Sequence, residues 1–292
     1  MFSMMEKRMR LPTLEPVYKR VARIQKSAAI LQRNAGKANA FCSVLFVAFS
    51  ACGIILCMQS NCFVSALYAA ELSPDRLYLQ ADEVGLSLVQ GKLSVRGDFI
   101  HMTPRLRPSN LNREFLVKAG RMKGIERPVA IDATAGLGED SLLLAAAGFR
   151  VHLFEYNPVI AALLLDAMER AREVPDLREP VSRMELHVGD SIEAMNRAED
   201  SIGGIPDLVL LDPMFPERQK SALVKKKFQL IHRLESPCME EETLLNAAIA
   251  AGPRKILIKR PLKGPWLAGR KPGYSISGKA VRYDCIRRKI GR

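Results

Sequence analysis

Three residues in one short stretch carry groups that could act on a planar amine. The stretch "LLDPMF" (210–215) places Asp212, Pro213 and Phe215 directly after a run of apolar residues. A carboxylate and a backbone carbonyl can accept the protons of an exocyclic amine, and an aromatic ring can stack on the base that carries it. Pro213 stiffens the turn because its ring fixes φ. The sequence therefore predicts Asp212, Pro213 and Phe215 as catalytic residues that hold an aromatic amine.

Acidic residues recur at the ends of the predicted strands around this stretch. From residue 128 onward, short apolar strands alternate with helical patterns, which predicts a doubly wound parallel sheet with helices on both faces. The carboxyl ends of parallel strands lie along one edge of the sheet, where ligands bind. Four predicted strands end in an acidic residue, and we expect these to line one cleft: Asp132, Glu155, Asp190 and Asp212.

The loop after the first of these strands, "ATAGLGED" (133–140), indicates the kind of cofactor. A dinucleotide fingerprint requires a third glycine, and Ser141 occupies that position. Glu139 and Asp140 at the start of the next helix would repel phosphates. A cofactor without phosphates and with a positive centre, S-adenosylmethionine (SAM), fits better than a nicotinamide cofactor. Gly136 and Gly138 would let the backbone approach it.

The other acidic strand ends suit the polar groups of SAM. Glu155 can accept hydrogen bonds from the ribose hydroxyls, Asp190 can accept from the adenine amine, and Asp132 ends the strand beside the loop. With a methyl donor next to it, "LDPMF" reads as a variant of the Asp/Asn/Ser-Pro-Pro-aromatic motif of methyltransferases that act on planar exocyclic amines. A dehydrogenase remains an alternative, which Ser141 opposes.

The charge of the chain favours a polyanionic partner. The formal net charge is +13 and the pI is about 9.6, which is typical of proteins that bind nucleic acid or an anionic membrane surface. A solvated helix face is the alternative interpretation of the basic run at 225–227. Positive side chains follow the catalytic stretch and end a later strand, and we predict that they contact RNA phosphates: Arg218, Lys220, Lys225, Lys226, Lys227, Lys259 and Arg260.

The first 70 residues differ from the rest of the chain. Residues 1–37 carry nine Lys/Arg and two Asp/Glu, and residues 38–70 carry no charge. The apolar run 41–58 reaches the lower length limit of a membrane helix. It could be a membrane anchor, an export signal, or an extension ahead of the true start of a cytosolic enzyme. We favour the last interpretation, so any membrane contact is expected only through residues 38–70.

The six cysteines form no metal-binding pattern. None lies in a Cys-x-x-Cys pair, and no histidine lies at metal-ligand spacing. They are typical of small buried side chains in a reducing compartment, which favours a cytoplasmic protein. The sequence therefore predicts no metal site.

The chain resembles the ribosomal RNA small subunit methyltransferase J family. The segments that carry the resemblance are "DATAGLGEDSLLLAAAGF", "LDPMFPERQKSALVKK" and "IKRP", and it extends over residues 75–288. It implies a class I methyltransferase (Rossmann-like) α/β fold with a seven-stranded sheet, and methylation of the exocyclic N2 of a guanine in 16S rRNA. The cofactor contacts it implies are Glu139, Asp140, Glu155, Tyr156, Asp190, Ser191 and Asp212.

The resemblance has departures, and other functions compete with it. The family has arginine where this chain has Glu139 and Tyr156, so both changes remove positive charge beside the cofactor, and it lacks the extension at 1–70. We divide the chain into this extension, a small α+β unit (71–127) and a methyltransferase domain (128–292). A methyltransferase for adenine N6 or a glutamine amide is the first alternative. A membrane-anchored protein that keeps the fold without catalysis is the second. We expect a monomer that acts on 16S rRNA or the small subunit.

Overall fold

The N-terminal part of the protein forms an antiparallel sheet. The structure is a computed structural model that describes residues 44–50, 53–59, 77–213, 230–231, 234 and 240–288. The five strands pair in chain order, each with the next. They are β1 (Val44–Ser50), β2 (Gly53–Gln59), β3 (Tyr78–Ala81), β4 (Leu86–Gln90) and β5 (Leu93–Val95).

The apolar run at 41–58 therefore contains two strands. β1 and β2 pair antiparallel from Val44 opposite Gln59 to Ser50 opposite Gly53. The interpretation of this run as a single membrane helix finds no support. Among the described residues, the structure has no helix with the length and apolar character to span a membrane. The remainder of the predicted extension lies outside the described residues.

The C-terminal part is built on a seven-stranded mixed sheet, which confirms the predicted fold class. The strand order is β11-β12-β10-β9-β6-β7-β8. The five strands from β10 to β8 are parallel, and β12 and β11 continue the sheet antiparallel. The strands are β6 (Val129–Asp132), β7 (Arg150–Glu155), β8 (Met184–Val188), β9 (Leu208–Leu211), β10 (Lys255–Pro261), β11 (Tyr274–Ser277) and β12 (Val281–Arg287).

Helices flank this sheet on both faces. Ile100–Met102 and Leu267–Gly269 form short 3₁₀ turns. The described α-helices are α1 (Thr103–Leu106), α2 (Pro108–Leu111), α3 (Phe115–Gly120), α4 (Glu139–Ala146), α5 (Pro158–Arg172), α6 (Pro175–Ser182), α7 (Ser191–Asn196), α8 (Ala198–Ile202) and α9 (Glu241–Ala250). One buried apolar cluster joins α3, α4, α5 and α6 to the sheet, and a second joins α7 and α9 to its other face.

Local sequence signals explain where α5 begins. Asn157 is its N-cap, and its side-chain oxygen accepts from the backbone N–H of Val159 and Ile160 at 2.9 and 3.4 Å. Pro158 occupies the first helical position, where its missing N–H costs nothing. The cap and the proline place the helix start directly after β7, so Glu155 stands at the entrance to the loop between them.

The region before β6 packs onto the large sheet. Leu86 and Leu88 of β4 share a buried apolar cluster with Ile160 and Leu163 of α5, and Leu116 of α3 belongs to the core of the large sheet. The sequence "NREFLVKAGRMKG" (112–124) has a helical pattern, but α3 covers only part of it. The helix begins after Glu114 and ends before Arg121.

A buried carboxylate connects the two sheets. Oδ2 of Asp166, on α5, accepts from the backbone N–H of Leu86 at 3.0 Å and from Nε of Arg170 at 2.8 Å. Arg170 also donates to the carbonyl of Gly97. Because Asp166 is fully buried, these bonds to Oδ2 offset part of the cost of placing a carboxylate in the interior. They join β4 and the loop after β5 to the helix that follows β7.

Candidate cofactor and substrate site

The carboxyl ends of β6 and β9 are joined by a direct hydrogen bond. The backbone N–H of Asp212 donates to the hydroxyl of Thr134 at 2.7 Å. β6 lies between β9 and β7 in the sheet. The strands that follow β6 in the chain, β7 and β8, lie on one side of it, and β9 and β10 lie on the other, so the strand order reverses at β6. Such switch points form clefts at the carboxyl edge of a parallel sheet. The structure thus brings the predicted catalytic Asp212 beside the predicted cofactor loop.

The glycine loop has left-handed backbone at both glycines, for different reasons. Gly138, with φ +79°, precedes α4, and a Cβ there would lie 2.5 Å from Cδ1 of Leu164 and 3.2 Å from Cζ of Phe99. Gly136 has φ +53°, and a Cβ there would meet no described atom within 4 Å. Gly138 is therefore required by packing, whereas Gly136 leaves open space next to its backbone.

Glu155 supports the loop from the end of β7. Its Oε2 accepts from the backbone N–H of Gly136 at 2.9 Å, and its Oε1 accepts from the N–H of Asn157 at 2.8 Å. Burial raises the pKa of this carboxyl, while the two backbone donors oppose the rise. Each carboxylate oxygen has a second lone pair, so Glu155 can hold the loop and still accept a bond from a ligand.

Asp132 is more deeply placed than a direct cofactor contact would require. It is 2% exposed. Its Oδ2 accepts from the hydroxyl of Ser141 at 2.6 Å, and its Oδ1 accepts from the backbone N–H of Thr134 at 3.1 Å. Burial raises the pKa of Asp132 to about 7, although both hydrogen bonds act to lower it. Asp132 therefore fastens the start of α4 to the end of β6, and its contact with the cofactor stays a prediction.

Lys259 bridges two carboxylates in the cleft. Its Nζ lies 2.6 Å from Oδ2 of Asp140 and 2.9 Å from Oδ2 of Asp212. Burial raises the pKa of Asp212, and the ammonium of Lys259 acts in the opposite direction. Burial acts to lower the pKa of Lys259, but Asp140 and Asp212 raise it above its usual value, so the lysine stays charged. The buried ring of Tyr283 also stands near these groups, and burial raises the pKa of its phenol.

The remaining predicted cofactor residues lie at the surface of the same sheet edge. Asp190 is exposed and caps α7, because its Oδ1 accepts from the backbone N–H of Ile192 at 2.8 Å. Ser191 follows it as the first residue of that helix. Tyr156 is 78% exposed. Glu139 pairs at the surface with His101 at 3.3 Å.

The predicted RNA contacts divide into two groups. Arg260 is 1% exposed, its Nε donates to the carbonyl of Pro265 at 2.8 Å, and its Nη1 lies 3.5 Å from Glu241. A phosphate cannot reach a side chain so placed, which corrects the prediction for Arg260. The ammonium of Lys259 pairs with Asp140 and Asp212, and its contact with RNA stays a prediction. The other predicted contacts lie outside the described residues, as does the catalytic prediction for Phe215: Arg218, Lys220, Lys225, Lys226 and Lys227.

Sequence reasoning missed two residues that organise the cleft. Thr134 was passed over because a threonine in a turn carries no distinctive signal, although it lies next to the last residue of β6. Lys259 was assigned to RNA because its two partners, Asp140 and Asp212, are 119 and 47 positions away along the chain. Only the strand order brings these three residues together.

The residues around the loop fit SAM. The open space next to Gly136 would admit a ligand close to the backbone. Two acidic residues, Glu139 and Asp140, occupy the first turn of α4, which disfavours a pyrophosphate and suits a cationic sulfonium. Glu155 and Asp190 offer carboxylate oxygens for hydroxyl and amine groups on either side of that space.

Comparisons with known proteins show the family of the chain. Residues 64–287 match the family described as "Putative SAM-dependent methyltransferase". A ribosomal RNA small subunit methyltransferase J from Dechloromonas aromatica is 41% identical over 209 residues, which cover 70% of this chain and 82% of that protein. The protein of the same name from Pseudomonas aeruginosa is 44% identical over 218 residues, which cover 72% of this chain and 82% of that protein.

A solved structure is similar to most of the chain. The crystal structure of a SAM-dependent methyltransferase from Neisseria gonorrhoeae superposes with a TM-score of 0.62 at 32% sequence identity. The superposition covers 77% of this chain and 88% of the other.

Proposed function

The chain belongs to the family of SAM-dependent methyltransferases that includes ribosomal RNA small subunit methyltransferase J, and from this we propose that it methylates the exocyclic N2 of a guanine in small-subunit rRNA. The observation that carries the proposal is the position of Asp212. It ends β9 beside the glycine loop and is held there through its backbone by Thr134 and through its carboxylate by Lys259.

Asp212 and Pro213 act on the amine of the base. The lone pair of an aromatic amine is delocalised into the ring, so it must be localised and directed before the nitrogen can attack. A carboxylate and a carbonyl that accept the two amine protons favour that geometry. Oδ2 of Asp212 is held by Lys259, and Oδ1 has no hydrogen-bond partner within the part of the chain that the structure describes. Oδ1 is therefore the oxygen that receives an amine proton.

The cofactor supplies an activated methyl group when bound. Gly136, Glu155 and Asp190 would hold it, with Tyr156 and Ser191 beside them and Asp140 near the positive centre. Because Asp140 and Asp212 share Lys259, a ligand that contacts one carboxylate also affects the other. Asp212, which accepts the amine proton, and Asp140, which lies near the methyl donor, are therefore coupled electrostatically through Lys259.

Small-subunit rRNA as substrate is supported by charge as well as by the relatives. A net charge of +13 favours binding to a polyanion. The base must leave its stack or loop to enter the cleft, and Phe215 would stack on it there. Basic side chains from 218 to 227 would hold the surrounding phosphates in register.

Transfer of labelled methyl groups to undermethylated rRNA tests this function. Naked 16S rRNA and small subunits from a strain lacking the endogenous modification would be incubated with the full-length protein and labelled SAM. If the proposal is right, label enters one of these two substrates. Mass spectrometry of its nucleosides should then detect N2-methylguanosine. Labelled N6-methyladenosine, or label only in a protein glutamine, would support the alternative methyltransferase. SAM binding without transfer to any of these substrates would overturn the catalytic proposal.

A further inference from the structure

Two histidines and a glutamate meet on one face of the sheet, away from the strand ends. His152 on β7 pairs with Glu185 on β8, and Phe154 pairs with His187. Paired residues of parallel strands lie on the same face, and so do residues two positions apart on one strand. The pairing therefore places the three side chains of His152, Glu185 and His187 together.

Their donor atoms are spaced like the ligands of a single ion. Nδ1 of His152 lies 3.1 Å from Nε2 of His187 and 3.6 Å from Oε2 of Glu185. Nε2 of His187 lies 3.8 Å from Oε1 of Glu185. Ligands at about 2.0–2.2 Å from a tetrahedral zinc ion are roughly 3.3–3.6 Å apart. Small rotations of the three side chains would therefore bring all three donors to one ion.

The surroundings hold the ligands and leave a path for an ion. His152 is 1% exposed, and the ring of His187 stacks on Phe154 with centroids 4.7 Å apart. Arg150 holds Oε2 of Glu185 at 3.0 Å, which is the kind of outer contact that orients a metal-binding carboxylate. The side chain of Glu185 is 43% exposed, so solvent reaches the open side of the cluster.

The chemistry of the donor atoms indicates the kind of ion. The donor set of two imidazoles and a carboxylate, with room for water as a fourth ligand, suits zinc among the divalent ions.

We propose that His152, Glu185 and His187 bind one divalent transition-metal ion, with zinc as the ion that the donors fit. The ion would fasten the edge strand β8 to β7. His152 precedes Glu155 by three residues, roughly 10 Å along a strand, so the ion lies outside the cleft and takes no part in methyl transfer. Sequence spacing could not reveal this site, because its ligands come from two strands and are up to 35 positions apart.

Metal titration of the full-length protein tests the site. The protein would be stripped with a chelator, dialysed and titrated with Zn²⁺ by calorimetry and with Co²⁺ by visible absorption. We expect one ion per chain and the intense cobalt bands of a four-coordinate site. Glu185→Gln and His187→Ala should each weaken binding at least tenfold, whereas His101→Ala, a histidine outside the cluster, should leave it unchanged.

The metal-binding measurements test the proposed site without an activity assay. Absence of stoichiometric binding by the native chain, or equal binding by the native chain and both cluster variants, would show that the imidazoles only bond to each other. Glu185→Gln serves if His187→Ala fails to fold, because that carboxylate is partly exposed and its amide is isosteric. Zinc should also raise the melting temperature of the native chain more than that of Glu185→Gln. An equal rise would contradict the site.

Discussion

Nζ of Lys259 lies 2.9 Å from Oδ2 of Asp212, so a lysine at the end of β10 fixes the carboxylate at the end of β9. The same nitrogen bonds Asp140 at the start of α4. The orientation and the charge of the proposed amine acceptor therefore depend on a residue that need not touch the substrate.

Replacement of Lys259 by methionine should move the acidic limb of the activity profile to higher pH. Burial raises the pKa of Asp212, and Lys259 lowers it. Without the ammonium the pKa rises further, so the ionised carboxylate is lost at a higher pH. The measurement is kcat against pH for methyl transfer. Lys263→Met, at an exposed position two residues after β10, should leave the profile in place. An unshifted limb in Lys259→Met would contradict the role assigned to the lysine.

Asp212→Asn should reduce kcat by about 10²–10⁴-fold, the range typical of a lost proton acceptor. The amide is isosteric but cannot accept through both terminal atoms, so amine orientation suffers while the fold is kept. SAM binding, measured by calorimetry, should weaken by much less than kcat falls, because Asp212 acts on the cofactor site only through the shared Lys259. Asp190→Asn is a matched control, expected to weaken SAM binding more than it lowers kcat at saturation. Near-normal kcat in Asp212→Asn would refute the proposed mechanism.

The two loop glycines should respond differently to alanine. Gly138→Ala combines left-handed backbone with a Cβ 2.5 Å from Leu164, and should lower the free energy of unfolding by about 2–4 kcal/mol. Gly136→Ala meets only the backbone strain, about 1–2 kcal/mol, but fills the space next to the loop and should weaken SAM binding. Urea denaturation and calorimetry measure the two quantities. If Gly138→Ala weakened SAM binding more than Gly136→Ala did, the cofactor would not approach Gly136.

Asp132→Asn should flatten the dependence of stability on pH. The pKa of Asp132 is raised from 3.8 to about 7 in the folded protein. Stability from the protonated form is present below about pH 4 and is lost as the pH rises toward 7. Asparagine stays neutral, so between pH 5 and pH 8 the variant should gain about 2–3 kcal/mol relative to the native chain. Asp176→Asn, at an exposed position, is the control. Parallel curves of unfolding free energy against pH for Asp132→Asn and the native chain would refute the raised pKa of Asp132.

The strands of the large sheet were well predicted, because short apolar runs bounded by turn residues have few other solutions. The apolar runs 129–132 and 150–155 coincide with β6 and β7, and the runs 183–190, 207–212, 254–260 and 280–286 differ from their strands by one or two residues at the ends. β11 was not predicted, since "YSIS" is only four residues long and lies among glycines and basic residues. Leu93, Val95 and Phe99 fall on odd positions, which is the pattern of a half-buried strand, but Phe99 precedes a 3₁₀ turn and is buried against the glycine loop.

Side-chain partners at the site were harder to predict than strand ends. The acidic residues at the ends of β6, β7 and β9 were identified from their positions. Whether such a residue faces a ligand or the interior depends on its neighbours, and Ser141 and Thr134 turn Asp132 inward. Arg260 shows the same limit, because a basic residue at a strand end was expected to meet phosphate and is instead enclosed by Pro265 and Glu241.

The contact between β4 and α5 has a consequence for the order in which the chain can fold during synthesis. Leu86 and Leu88 are made before Ile160 and Leu163, yet these four side chains bury one another, and Asp166 binds the backbone of Leu86. β4 must therefore wait for the helix at Pro158–Arg172 before its apolar side chains are covered. Until then it exposes apolar surface, and a chaperone would find its binding site in this segment.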